Sequence, residues 1–289
     1  GTLRGPPVIL ADPDFDLVLK SDELENAAGN SNNTRQGVAG RSEQTIPFSR
    51  LLPSVQALPG TRPEAESAQE SLGRLYETKP IVFLGKQADE QSLKRAAVSP
   101  VILLLATHSY FLPDKRSDLN DNQRLEMGFD LIPIQNLDVD GEHNENPLLR
   151  CGLLLAGVNT HTSRLKFSDN DGILTGAEII GLDLQGTDLV ILSACDTGLG
   201  DLQYGEGVAG LRQAFQIAGA GSVISTLWKV PDEESSIIMQ SFYAKLAEGL
   251  SAAQALNEAQ LAYIQTQREM NKEHTTHPYF WAAYTMTGK

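Results

Sequence analysis

The sequence predicts an α/β domain: a mostly parallel sheet with helices on both faces. Two observations carry that prediction. Five short runs, Val8–Leu10, Ile81–Leu84, Val101–Leu105, Leu189–Leu192 and Ser222–Leu227, are rich in leucine and β-branched residues and read as buried strands. Between them lie segments of helical periodicity, and alternation of strand and helix builds parallel sheets. A last run, Phe280 to Thr287, is expected to close the sheet.

The helices show their ends. Asp232 follows Pro231 and precedes Glu233 and Glu234, so it is expected to cap a helix in which Ile237, Ile238, Phe242 and Leu246 recur on one side. Gly249 is placed to stop that helix. Ser251 with Gln254 forms a capping-box pattern for the next, which carries Ala255, Leu256, Ala259, Ala262 and Tyr263. Two polar stretches, at about 21–47 and 113–147, read as loop insertions. The second leaves directly from the strand that ends near His108, so it is expected near the mouth of any site there.

Composition bounds the function. With 289 residues, 41% of them hydrophobic, the chain can bury one substantial core, and residues 1–289 are read as a single domain. Lys and Arg number 23 against 37 Asp and Glu, a formal net charge of -14. A phosphate backbone is repelled by such a surface and a basic peptide is attracted, so nucleic acid is not an expected partner. No apolar run approaches the roughly 18 residues that span a bilayer, so no membrane role is expected either. Together with the scarcity of cysteine, this predicts a cytoplasmic location in which Cys151 and Cys195 are thiols.

The chemistry is carried by two segments, Leu-Leu-Ala-Thr-His-Ser at 104 to 109 and Val-Ile-Leu-Ser-Ala-Cys-Asp-Thr-Gly at 190 to 198. Each sets a reactive side chain where an apolar strand runs out. In an open α/β sheet the carboxyl ends of the strands line the ligand crevice, so His108 and Cys195 share it if their strands are neighbours. An imidazole can take the proton of a thiol and later return it to a leaving amine. The small residues Ser193, Ala194, Thr197 and Gly198 let a substrate backbone approach, and the Cys195 N–H can bind a developing oxyanion. Taken singly, a strand-end cysteine is more often an inert thiol and a strand-end histidine is as often structural; together they favour catalysis.

These segments, with Gly-Glu-Gly-Val-Ala-Gly-Leu-Arg-Gln-Ala-Phe at 205 to 215, Ser-Thr-Leu-Trp-Lys-Val at 225 to 230 and His-Pro-Tyr-Phe-Trp-Ala-Ala-Tyr at 277 to 284, resemble a CHAT domain. That is the caspase-like module named after HetF and associated with tetratricopeptide repeats, similar to separase and the wider caspase clan. The resemblance implies a caspase-like three-layer sandwich on a six-stranded sheet of order 2-1-3-4-5-6, with His108 and Cys195 closing the third and fourth strands. It implies a cysteine endopeptidase that needs no cofactor and acts on a specific protein partner. It also implies an oxyanion hole made by the N–H of Cys195 and of the residue after the histidine. That residue is Ser109 where the family has Gly, which puts the geometry of the hole in question. Relatives of the separase type place an acidic residue after a Leu-Trp segment to bind Arg or Lys. Asp232 stands at that place here, unless it merely caps its helix, with Glu234 and Asp196 as weaker candidates. Such domains usually follow repeat arrays that recognise partners, so the chain is expected to be part of a longer, HetF-like regulatory protein.

Other motifs are declined. Gly205, Gly207 and Gly210 spell a dinucleotide fingerprint, but some ten residues separate them from the preceding strand, and loop flexibility with a small-residue helix start is the expected role. The Asp169–Gly172 and Asn136–Gly141 runs fail as calcium loops, because position one of the first is Phe167 and position twelve of the second is Pro147. His143, Cys151, His161, His274 and His277 lack a zinc-ligand spacing. The alternative from another class is a non-catalytic interaction module on the same scaffold.

Overall fold

A computed structural model describes residues 4–18, 54–111, 147–149, 151–160, 170–193, 204–271 and 273–288. Both polar insertions, and with them Cys195, Asp196, His143 and His161, lie outside the described residues.

The apolar runs become β1 (Val8–Pro13), β2 (Ile81–Gly85), β3 (Ile102–Ala106), β7 (Leu189–Ser193) and β8 (Ser222–Thr226). With β9 (Tyr284–Gly288) they form a six-stranded sheet of order β2-β1-β3-β7-β8-β9. Counted within this sheet, that is the expected 2-1-3-4-5-6. All neighbours run parallel except β9, which returns antiparallel to β8.

Alternate side chains of each strand feed two separate cores. Val8, Leu10, Leu103, Leu105, Val190, Leu192 and Val223 pack one face. They meet α2 (Glu90–Ala96), α3 (Gly176–Ile180) and α4 (Tyr204–Ile217) through Leu93, Ile179, Leu211 and Phe215. Ile9, Ile102, Leu104, Ile191 and Ile224 pack the other. There they meet α1 (Thr61–Tyr76), α5 (Asp232–Ala247) and α6 (Ala252–Glu269) through Ala68, Leu72, Ile238, Phe242 and Leu256. Burial on both sides suits the apolar runs of β1, β3 and β7; β2, expected to be buried, is instead a partly exposed edge strand.

Several sequence expectations are met and several are corrected. Ser251 and Gln254 form the reciprocal capping box of α6, and Gly249 takes the left-handed backbone (φ +91°) that ends α5. Asp232 is not the cap of α5. Pro231 occupies that position with an extended ψ of 143°, its carbonyl accepts the first helical bond from Ser235 N–H at 3.0 Å, and Asp232 falls inside the first turn. Ile237 and Ala262 face solvent, and Met239 and Tyr243 are buried in α5 beside Ile238 and Phe242. The run expected to close the sheet splits. Pro278 opens a one-turn helix, α7 (Pro278–Trp281), whose start is capped by His277 Nδ1 accepting from Tyr279 N–H at 3.2 Å, and the strand begins only at Tyr284. Gly205, Gly207 and Gly210 lie within α4 rather than in a loop, and a Cβ on Gly210 would stand 3.7 Å from Cys151 Sγ. Gly210 there serves close packing of α4 against Cys151.

A second sheet went unread in the sequence. The antiparallel strands β4 (Ser109–Phe111), β5 (Cys151–Leu154) and β6 (Ile173–Thr175) stand beyond the end of β3. They are too short to show a period. Gly152 is required where they cross, because a Cβ there would lie 2.4 Å from the Leu174 carbonyl oxygen. The calcium-like run is closed by its own chain: Asp171 accepts Ile173 N–H at 2.9 Å, and Glu178 completes the capping box of α3 with Thr175. Glu90 Oε2 accepts the N–H groups of Asp171 and Gly172, and its Oε1 pairs with Lys94 at 3.0 Å. Among the described residues no cluster of His, Cys, Asp or Glu could hold a metal ion, and no helix is long and apolar enough to cross a membrane.

Leu104 lies at the centre of the sheet with no solvent exposure. Leu104→Ala is expected to cost about 3 kcal/mol, read as a lower urea midpoint at unchanged slope.

Candidate active site at the sheet rim

β3 and β7 are parallel neighbours whose last residues, Ala106 and Ser193, stand in register. His108 follows the first by two residues and Cys195 follows the second by two. Two residues reach at most about 7 Å. The chain turns at Thr107, whose hydroxyl donates to the Leu154 carbonyl, and His108 is tied to β5 by Leu154 N–H donating to its carbonyl at 2.9 Å. The imidazole is almost wholly buried. Nε2 lies 2.7 Å from the Gln56 carbonyl oxygen, and the Phe15 ring packs on it at 5.4 Å. A carbonyl can only accept, so Nε2 carries the proton and Nδ1 is the basic nitrogen.

Ser109 opens β4 opposite Leu153. Because the Leu154 N–H bonds to the His108 carbonyl, the Ser109–Leu153 pair is the non-hydrogen-bonded kind, and Ser109 N–H points away from β5 toward the open edge of β4. Ser109 is not among the residues with positive φ, so the strand conformation here makes no demand for glycine. Its buried hydroxyl has no hydrogen-bond partner.

Asp232 stands at the same rim, after the carboxyl end of β8. It is exposed, makes no capping bond, and abuts the start of α1: a Cβ on Gly60 would lie 3.3 Å from its own Cβ. Glu234 is two positions along α5, about 200° around the helix, and its charge helps push up the Tyr263 hydroxyl of α6 behind the larger effect of burial. Asp232 and Glu234 therefore do not share a face.

Sequence reasoning missed a buried carboxylate. Glu64, in the first turn of α1, accepts the Ser193 hydroxyl at 2.6 Å and the Tyr243 hydroxyl at 2.8 Å. Burial pushes its carboxyl up to about 7 against the pull of those two hydroxyls, and the negative charge of Asp232 pushes it further. Burial and the Glu64 charge raise Tyr243 in turn. In sequence Glu64 is one acid among several on a helix, and nothing there distinguishes it. Gln56 and Asn159 were missed as well: Gln56 contributes a backbone carbonyl, which has no side-chain signature.

A six-stranded caspase-like sheet with histidine and cysteine positions at the ends of its two middle strands defines a class, the caspase-like domains, which are related to cysteine peptidases. Within that class the chain belongs to the CHAT domain family, whose model matches residues 5–289. It is also similar to tetratricopeptide repeat protein 28 of Mus musculus, with 34% identity over 116 residues, and to the Homo sapiens protein of that name, with 33% identity over 116 residues. Each match covers 40% of this chain and 4% of the relative, so the chain spans a small part of those proteins.

The Glu64 site makes a prediction with a definite sign. Its carboxyl is raised on folding, so between about pH 4.5 and about 7 the unfolded chain releases a proton that the native state keeps, and stability falls as pH rises through that window. The contribution is about 3 kcal/mol at roughly 1.4 kcal/mol per unit. Chemical unfolding of the parent from pH 5 to 8 is expected to show this slope, and Glu64→Gln, which cannot ionise, to flatten it by that amount.

Proposed function

We propose that this domain is a cysteine endopeptidase cleaving a specific protein partner, with Cys195 as nucleophile and His108 as general base and acid. The observation that supports this is the register of β3 and β7, from whose paired last residues histidine and cysteine lie equally far along the chain. In this reading His108 Nδ1 takes the thiol proton and the sulfur attacks the scissile carbonyl carbon. The oxyanion is held by the backbone N–H groups of Cys195 and Ser109. His108 then delivers its proton to the leaving amine, and water, deprotonated by His108, hydrolyses the thioester. The outward N–H of Ser109 and its ordinary backbone conformation suit this role without glycine.

Asp232 is assigned the recognition of a basic side chain before the cleaved bond, since with Pro231 as the cap its carboxylate has no helix-capping duty to perform. Glu234, on another face, and Asp196 rank behind it. The tetratricopeptide-repeat relatives support the further reading that repeats outside this chain recruit the partner, as in a HetF-like regulatory protein; a cytoplasmic location belongs to the same proposal.

Cleavage of candidate partner proteins should be lost in both Cys195→Ala and His108→Ala. Equal cleavage by parent and variants removes the peptidase reading in favour of an interaction module. A peptide chloromethyl ketone is expected to alkylate Cys195 and leave the buried Cys151 unmodified, by peptide mass mapping. Asp232→Asn should lower kcat/KM for peptides with Arg before the bond by about tenfold or more while sparing uncharged ones. An unchanged preference moves the pocket elsewhere.

A further inference from the structure

Among the described residues the Gln56 carbonyl at Nε2 and the ring of Phe15 lie against the imidazole, and both come from segments with no regular secondary structure of their own. One residue holds both. Asn159, in the loop after β5, bonds the two backbone groups of Val55: its Oδ1 accepts Val55 N–H at 2.8 Å and its Nδ2 donates to the Val55 carbonyl at 3.0 Å. Its Nδ2 also donates to Asp16 Oδ1 at 2.9 Å, and its backbone N–H donates to the Phe15 carbonyl at 2.9 Å. The network fixes the amide orientation, since an N–H needs the oxygen and two acceptors need the nitrogen.

Val55 directly precedes Gln56, so an amide that holds both polar groups of Val55 fixes the Val55–Gln56 peptide plane and leaves only the backbone dihedrals of Gln56 between that anchor and the Gln56 carbonyl. Thr160 extends the hold, its hydroxyl donating to the Leu17 carbonyl at 2.5 Å. Loop backbone without sheet or helix partners otherwise wanders.

We infer that Asn159 is a positioning residue for His108: by clamping Val55 and Phe15 it fixes the Gln56 carbonyl and the aromatic wall that hold the imidazole with Nε2 protonated and Nδ1 facing the reaction. The inference deepens the peptidase reading and rests on it for its catalytic consequence.

The test follows two readouts in the full chain. In 15N-labelled protein, the His108 ring N–H, identified by its loss in His108→Gln, should give a protected resonance that Asn159→Ala broadens away through exchange with water. With an arginyl chloromethyl ketone, Asn159→Ala should lower the limiting rate of Cys195 alkylation about tenfold while apparent affinity stays within about twofold. Asn159→Asp keeps the bond from Val55 N–H, loses the donor to its carbonyl and should be intermediate. It decides the matter where Asn159→Ala fails to fold. A His108 resonance and an alkylation rate unmoved in the variants overturn the inference. A parent whose Cys195 resists the label, but whose His108 resonance depends on Asn159, sinks the peptidase reading and leaves the positioning intact.

Discussion

The parallel pairing of β3 with β7 is the constraint on which the rest depends. Two runs of five residues, Ile102–Ala106 and Leu189–Ser193, are buried on both faces and paired along one register. A slip of one residue would send every side chain of a strand to the wrong core, so two packed faces hold the register tightly. The ends of these strands are therefore as well determined as their middles. A rim built this way needs no disulfide or metal to bring distant parts of a chain together.

The rim is supported from behind by polar groups. Glu64 joins α1, the end of β7 and α5 through two hydroxyls, and it does so without a cation. Taking a carboxylate out of water in this manner is costly, and its pKa rises accordingly. A short distance away Asp232 remains exposed. One element pair, the amino ends of α1 and α5, thus carries two acids in opposite surroundings, one near-neutral and structural, the other solvated and available to a ligand.

The small antiparallel sheet has a different part in the arrangement. It continues the chain of β3 past His108, sets the direction of the Ser109 N–H through β5, and carries the Asn159 segment in the connection after β5. Gly176 and Gly210 let α3 and α4 lie close to Cys151 of this sheet. A scaffold of three-residue strands gains stability from the pieces it packs against rather than from its own ladder.

What the sequence determined by itself was local and periodic: the five strands of the parallel sheet, the α6 capping box, the stop at Gly249, and a histidine and a cysteine two positions beyond the last residues of β3 and β7. Buried strands announce themselves because both faces must be apolar. Where a single residue decided the outcome the reading slipped, as with Pro231 displacing Asp232 from the cap and Pro278 turning the start of the last strand into a helix. The tertiary structure alone decided the second sheet, the Glu64 anchor and the Gln56–Asn159 support of His108. Those depend on backbone carbonyls, on lone polar residues and on contacts between positions about 50 to 180 apart in the chain, and such contacts leave no pattern in a linear sequence.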